Sequence, residues 1–153
     1  MEQMDYMIMP VRMSGLIKEI DGDHIKVHLR GRLGVIVVGR SFIDTTIPLE
    51  PGVEVSFYFS YVEVVKDPLD YDDAGLLTPP DDPADVMPDL IGGTIIEVND
   101  TAAKIAMMDD LGTVAVPRRW LFTPVALEVG EKAQFYMSRM TATGKSDIPV
   151  ESI

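Results

Sequence analysis

The 153-residue chain contains two segments that align with each other without a gap when the sequence is shifted by 78 residues. Positions 9–60 match positions 87–138 at 17 of 52 sites, and the matched pairs include Leu33–Gly34 with Leu111–Gly112. A gapless match of this quality indicates an internal duplication. The fold must therefore be one that can be built twice from about 55 residues.

Within each copy, apolar residues alternate with polar ones. The runs Ile25–Leu29 and Val53–Phe59 have the period of two that is typical of half-buried β-strands. Short Gly, Asn and Asp turns separate these runs, and at most a single helical turn is expected after Arg40 or Arg118. The pattern predicts an all-β fold of two tandem small β-barrels, OB-like or SH3-like, with four or five strands each. Closure into a barrel is favoured because it removes the exposed edges of a short sheet.

The segment that joins the copies differs in composition. Lys66–Leu90, here called the acidic segment, contains eight Asp, five Pro and one Lys, so it carries a net charge of −7 out of −12 for the chain. Its prolines disfavour a long helix or a central strand and indicate a semi-rigid spacer over the surface. The predicted domains are a first barrel at 1–65, an acidic proline-rich linker at 66–85, and a second barrel with a C-terminal tail at 86–153.

Several site types are absent from the sequence. The chain has no Cys, which excludes thiol catalysis and cysteine–zinc sites. His24 and His28 have alanines at the equivalent positions of the second copy, and the spacing of Asp70, Asp72 and Asp73 does not fit a calcium-binding loop. No phosphate loop, nucleotide fingerprint or nucleophile–base pair is present. We therefore expect no catalytic residues, no metal site, no cofactor and no enzyme activity.

The start of the chain has early acidic residues and lacks the long apolar run of a signal peptide. No stretch approaches the 18 or so uninterrupted apolar residues that a membrane span needs. We expect a cytoplasmic protein.

The glycine and aliphatic spacing of the first copy resembles the OB-type RNA-binding repeat named after ribosomal protein S-one. The residues that carry the resemblance are Gly15-x-Ile17-x-x-Ile20, Ile25-x-Val27-x-Leu29, Gly31-x-x-Gly34-x-Ile36 and Leu49-x-x-Gly52-x-x-Val55-x-Phe57, with Val116-Pro117-Arg118-Arg119-x-Leu121 in the second copy. The resemblance implies an OB fold and RNA binding. RNA-binding members of the family carry a stacking aromatic after the second glycine, where this chain has Val35 and Thr113. A fainter likeness, to uncharacterised paired-barrel proteins of anaerobic bacteria encoded near amino-acid reductase genes, implies no defined activity.

Basic and aromatic residues on the predicted outer face are the candidate binding residues. The second copy has Asp109 and Asp110 where the first has Gly31 and Arg32, so its face repels phosphate. We expect Trp120 to plug a barrel end and the two arginines before it to pair with carboxylates. The candidate binding residues are Lys26, His28, Arg30, Arg32, Arg40, Tyr58, Lys104, Arg118, Arg119 and Tyr136.

These features favour a non-catalytic binding or assembly module whose partner is another protein or a second copy of the chain. One alternative is single-stranded RNA binding through the basic face of the first copy, which the net charge and the missing stacking aromatics disfavour. A second alternative is small-ligand binding in a cleft between the barrels.

Overall fold

A computed structural model describes residues 9–123 and 126–153, so residues 1–8 of the predicted first domain lie outside the described residues. The described residues form twelve strands, one short α-helix and several 3-10 turns. The strands are β1 (Val11–Asp21), β2 (His24–Leu29), β3 (Val35–Gly39), β4 (Ile43–Asp44), β5 (Val53–Phe59), β6 (Val62–Val65), β7 (Asp89–Val98), β8 (Ala102–Met107), β9 (Gly112–Pro117), β10 (Leu121–Phe122), β11 (Lys132–Met137) and β12 (Met140–Lys145), and the helix is α1 (Ala74–Leu77). The predicted all-β class is confirmed.

All twelve strands belong to one sheet. Their order is β10-β6-β11-β7-β8-β9-β3-β2-β1-β5-β12-β4, and Met137 of β11 also pairs with Phe59 of β5. The sheet therefore runs through both copies instead of stopping at the acidic segment.

The two copies meet where β3 and β9 pair antiparallel. Ile36 lies opposite Val114, its own equivalent 78 residues later, and Phe59 and Met137 are equivalent in the same way. Contacts between equivalent positions are what a local two-fold axis produces. The pairing of β3 with β9 is therefore locally symmetric about Ile36 and Val114.

Each copy donates its last strand to the other. The strand β6 follows β5 in the chain but pairs antiparallel with β11 and parallel with β10, while β12 pairs antiparallel with β5 and parallel with β4. Matching hydrogen bonds accompany the exchange: the Tyr58 N–H donates to Ser138 Oγ and the Tyr136 N–H to Ser60 Oγ, each at 2.8 Å. Neither copy has a full set of strand partners without the other.

The alternating residues face the core as predicted. Val53, Val55, Phe57 and Phe59 are buried, and one hydrophobic cluster contains buried residues from both copies. Burial of this apolar surface is the main force that holds the strands together.

The predicted helical turns after the equivalent arginines are confirmed as 3-10 turns at Arg40–Phe42 and Arg118–Trp120. The second turn places the Trp120 ring on Tyr61, with centroids 3.9 Å apart, while the Trp120 Nε1–H donates to Ser60 O at 2.8 Å. Trp120 is thus half-buried against Ser60 and Tyr61, which directly precede β6.

The residue equivalent to Tyr61 is Arg139, which is only 5% exposed. Its guanidinium donates to both carboxylate oxygens of Asp44, at 2.7 and 3.1 Å, and to the carbonyls of Ser41, at 2.6 Å, and Leu76, at 2.8 Å. One buried cation therefore holds together the first copy, the second copy and α1.

The acidic segment is more than the surface spacer that its composition predicts. Leu76 of α1 is buried in the common core, and Tyr71 donates a 2.6 Å hydrogen bond to Gln134 Oε1 on β11. One apolar side chain and a few polar contacts fix the segment to the sheet, although prolines and aspartates dominate it.

Arg139→Met should lower the free energy of unfolding by roughly 3 kcal/mol, because it leaves the Asp44 carboxylate and two carbonyls without their donor. Lys145→Met removes an ion pair to Glu50 that is about half exposed and should cost less than about 1 kcal/mol. Chemical denaturation of both variants measures the difference. Equal losses of unfolding free energy in the two variants would show that Arg139 does not hold together the first half, the second half and α1.

Gly34→Ala should destabilise the junction of β3 and β9. Gly34 has φ of +126°, and a Cβ there would collide with the Ala115 carbonyl oxygen. Strain and overlap together should cost about 3 kcal/mol. The matched control is Gly22→Ala, where φ is +60° and the space is open, so only about 1 kcal/mol of strain is expected. If thermal unfolding shows the same loss of stability for Gly34→Ala and Gly22→Ala, the close approach of β3 to β9 is contradicted.

Candidate binding site

A groove of about 510 Å³ lies on the first copy between β1, the turn after β2 and the start of β3. Leu16, Leu29 and Val35 give it apolar walls, and Ile148 and Ile153, from the segment after β12, border it. Three predicted site residues also line it: His28, Arg30 and Arg32. We call this cavity the first groove.

The turn after β2 places the arginines of the first groove. The Leu29 N–H donates to Gly34 O at 2.9 Å and closes the loop, within which Gly31 and Arg32 both have positive φ, 74° and 57°. The Arg30 Nε donates to Glu54 at 3.1 Å. Within the described residues, the Arg32 side chain makes no hydrogen bond or ion pair, so its guanidinium is available.

Arg119 of the second copy reaches the same turn. Its guanidinium donates to the backbone carbonyl of Arg32 at 3.2 Å, and the neighbouring Arg118 donates to Asn99 O at 2.9 Å. The expectation that these arginines pair with carboxylates is wrong, because backbone carbonyls in the turns accept from them instead. Arg119 adds a third positive charge beside the first groove.

His28 borders the first groove with Nε2 buried and without a hydrogen-bond partner. Burial lowers the pKa of His28 below its usual 6.5, and the charges of Lys26 and Lys18 lower it further, although a backbone contact with Ile153 opposes the shift. The imidazole is therefore neutral at physiological pH. Protonation would cost stability as the pH falls below about 6.5.

The remaining basic candidates lie away from the first groove or are already paired. Arg40 donates to Gly22 O at 3.2 Å and supports the turn between β1 and β2, while Lys104 forms an ion pair with Glu97 at 3.7 Å. Lys26 is half-buried on β2. The ten predicted residues do not form one continuous basic strip.

The two candidate tyrosines occupy equivalent positions, on β5 and β11. The guanidinium of Arg12 lies 5.5 Å from the centre of the Tyr58 ring. Tyr136 is half-buried and is tied to the other copy through its backbone N–H. Neither lines the first groove.

The corresponding cavity of the second copy, about 320 Å³, has a different chemistry. Ala106 and Met108 stand at the positions of His28 and Arg30, and Pro68, Leu69 and Tyr71 of the acidic segment line its side. The turn beside it carries Asp109 and Asp110, whose φ of 53° and 56° match the left-handed turn of the first copy. The shared backbone thus supports a basic groove in one copy and an apolar one, beside acidic residues, in the other.

The acidic segment presents apolar side chains to solvent although it is fixed to the sheet. In the described residues, five large apolar side chains are at least 60% exposed, and three of them lie here: Leu69 at 61%, Leu77 at 60% and Met87 at 72%. Among the described residues, no ion pair involves a carboxylate of the segment. Except at the buried Asp73, its carboxylates and its exposed apolar side chains are therefore available to a partner.

Asp73 precedes α1 and is buried beside the Asp109 carboxylate, with Oδ2 lacking a hydrogen-bond partner. Burial raises the pKa of Asp73 above its usual 3.8, and the contact with Asp109 raises it further, with a smaller effect of Asp72. The ionised form is thus costly in the folded protein.

Sequence reasoning missed Arg139 and Gln134, and it considered Asp73 only as a calcium ligand. Arg139 lies one position beyond the matched run 87–138 and faces Tyr61 in the alignment, so the repeat itself gives no signal for it. Gln134 contacts Tyr71, and Asp73 contacts Asp109. Because these partners are far away in the sequence, no local pattern identifies either residue.

No family model matches the chain, and no curated protein matches it either. Across residues 9–123 and 126–153, no helix has the length and apolar character to cross a membrane. In the same ranges, no group of three or more His, Asp or Glu residues is arranged to hold a metal ion.

Asp73→Asn should stabilise the protein at neutral pH, because the amide removes a buried charge and can donate to Asp109. The wild-type pKa is raised, so the stability linked to this group is present at low pH and is lost as the pH rises through the folded-state value. The advantage of the variant should therefore shrink in mildly acidic buffer. Thermal unfolding at both pH values, with the exposed Asp81→Asn as control, measures it. A variant that is less stable at neutral pH would contradict the assignment.

Proposed function

We propose that this chain is a non-catalytic binding module that docks a protein partner through the acidic segment. The observation that carries the proposal is the exposure of Leu69, Leu77 and Met87 on a segment that the sheet holds in place. Exposed apolar surface rimmed by charged residues marks interaction sites when it is contiguous, and these three side chains are the apolar part of such a surface in the proposal.

The anchoring of the segment supports the proposal. The carbonyl of Leu76 accepts from Arg139, the Leu76 side chain is buried, and Tyr71 is bound to Gln134. A segment fixed before binding loses less conformational entropy when a partner arrives. A partner of complementary chemistry would present basic residues around apolar pockets, because the segment carries a net charge of −7.

We also infer that the scaffold arose by duplication and that each half, completed by the strand it receives, is a small barrel. The strand registers support this. The bulge between Ile17 and Glu19 in β1 recurs between Ile95 and Glu97 in β7. The pairing of Leu16 with Glu54 likewise recurs as Thr94 with Lys132.

RNA binding through the first copy is the weaker alternative. Arg30 has an acidic partner, Arg40 supports a turn, and Val35 stands where a stacking aromatic is needed. The cations beside the first groove are confined to one turn, and a phosphate chain would find no aromatic platform there.

Site-specific photo-cross-linking in living cells tests the proposal. With p-benzoylphenylalanine at position 77 or 87, we expect one discrete protease-sensitive adduct, which weakens when Asp81 and Asp82 are both changed to Lys. The matched control is the same probe at Val129, which is 64% exposed but lies outside the segment. Adducts no stronger than those at Val129 would overturn the proposal. A nuclease-sensitive adduct from position 32 would favour RNA instead.

A further inference from the structure

We infer that the first groove binds a small organic anion, one with a carboxylate or phosphate group on an apolar body. This site is separate from the acidic segment and does not depend on the partner proposed for it. The inference rests on the differences between the two copies, on the free cation and on the shape of the groove.

The difference between the copies shows that the basic residues are not needed to build the turn. Arg32 and Asp110 occupy equivalent positions with φ of 57° and 56°. The left-handed turn therefore accepts either a basic or an acidic residue at this position. The first copy nevertheless places Arg30 and Arg32 beside the groove, where Met108 and Asp110 are their equivalents.

The available donors suit an anionic head group. Arg32 has a guanidinium without a partner in the described part of the chain, and Glu54 engages only the Nε of Arg30, so the terminal nitrogens of Arg30 are available. Arg119 adds positive charge through its contact with the Arg32 carbonyl. Guanidinium groups bind carboxylates and phosphates through paired hydrogen bonds.

The rest of the groove suits an apolar body of limited size. Leu16, Leu29 and Val35 line it, and its 510 Å³ falls within the roughly 300–1,000 Å³ of known small-molecule sites. Ile148, Ser152 and Ile153 border its far side. The Lys18 Nζ holds this segment through a 2.8 Å hydrogen bond to Val150 O.

Other occupants fit less well. A peptide cannot extend the sheet here, because β1, β2 and β3 are each paired on both edges. A long phosphate chain would need cations beyond the groove, but Arg40 and Lys104 are engaged elsewhere. The groove therefore favours a compact ligand.

Titration calorimetry with the full chain tests the inference with four probes. Octanoate and octyl phosphate, both below their micellar concentrations, combine an anion with an apolar chain. Octanol lacks the charge, and inorganic phosphate lacks the apolar part. We expect saturable binding of one molecule of at least one amphiphile per chain, with octanol and phosphate each at least about tenfold weaker. The amphiphile that binds more tightly shows whether the groove prefers a carboxylate or a phosphate head group.

The variant Arg32→Gln should weaken amphiphile binding about tenfold without unfolding the protein, since the Arg32 side chain has no hydrogen bond or ion pair to lose among the described residues. Arg40→Gln is the matched control and should bind like the wild type. The two histidines provide a second measurement, because His28 borders the groove and His24 is exposed outside it. In NMR spectra, octanoate or octyl phosphate should shift the His28 ring signals and leave those of His24 unchanged.

Several results would overturn the inference. These are the absence of saturable binding by both amphiphiles, equal binding of octanol, undiminished binding by Arg32→Gln, or an unshifted His28 signal. Binding of a single-stranded oligonucleotide without amphiphile binding would assign the arginines to nucleic acid instead. None of these results bears on the acidic segment, whose cross-linking test stands separately.

Discussion

The exchange of β6 and β12 is the constraint on which the rest of the structure depends. The strand β6 follows the first half in the sequence but pairs with β11 of the second half. The strand β12 follows the second half but pairs with β5 of the first half. Backbone hydrogen bonds that either half would otherwise leave unpaired are thus satisfied across the two-fold arrangement. The same arrangement fixes the approach of β3 to β9, where only glycine fits at Gly34 because the Ala115 carbonyl is so close.

The two halves have the same backbone conformation at one turn but differ there in chemistry. The turns at Gly31–Arg32 and Asp109–Asp110 have the same left-handed conformation, but one is basic and the other acidic. Because side chains at these turns point away from the core, their charge can change at little cost to packing. Arginines line the groove of the first half, while residues of the acidic segment line the corresponding cavity of the second half.

A few contacts fix the acidic segment to the sheet, although its composition is typical of a solvated linker. Its prolines and aspartates cannot build a core, yet burial of Leu76 and the contacts of Tyr71 and Arg139 place it on the sheet. The charge of Asp73 opposes this placement at neutral pH, since burial raises its pKa. The segment is therefore both a connection and a positioned surface.

The sequence by itself indicated the all-β class, the alternating strands such as β2 and β5, and two stretches of similar sequence, because alternation and repetition are local properties of the chain. It also identified His28, Arg30 and Arg32, three residues that line one groove. It did not reveal which copy receives β6, that Arg139 would be buried, or that Arg40 and Arg118 would support turns. Those outcomes depend on pairing between residues up to about a hundred positions apart. Only the tertiary structure decides them, because a strand's period of two specifies which side chains face inward but not which strand lies beside it.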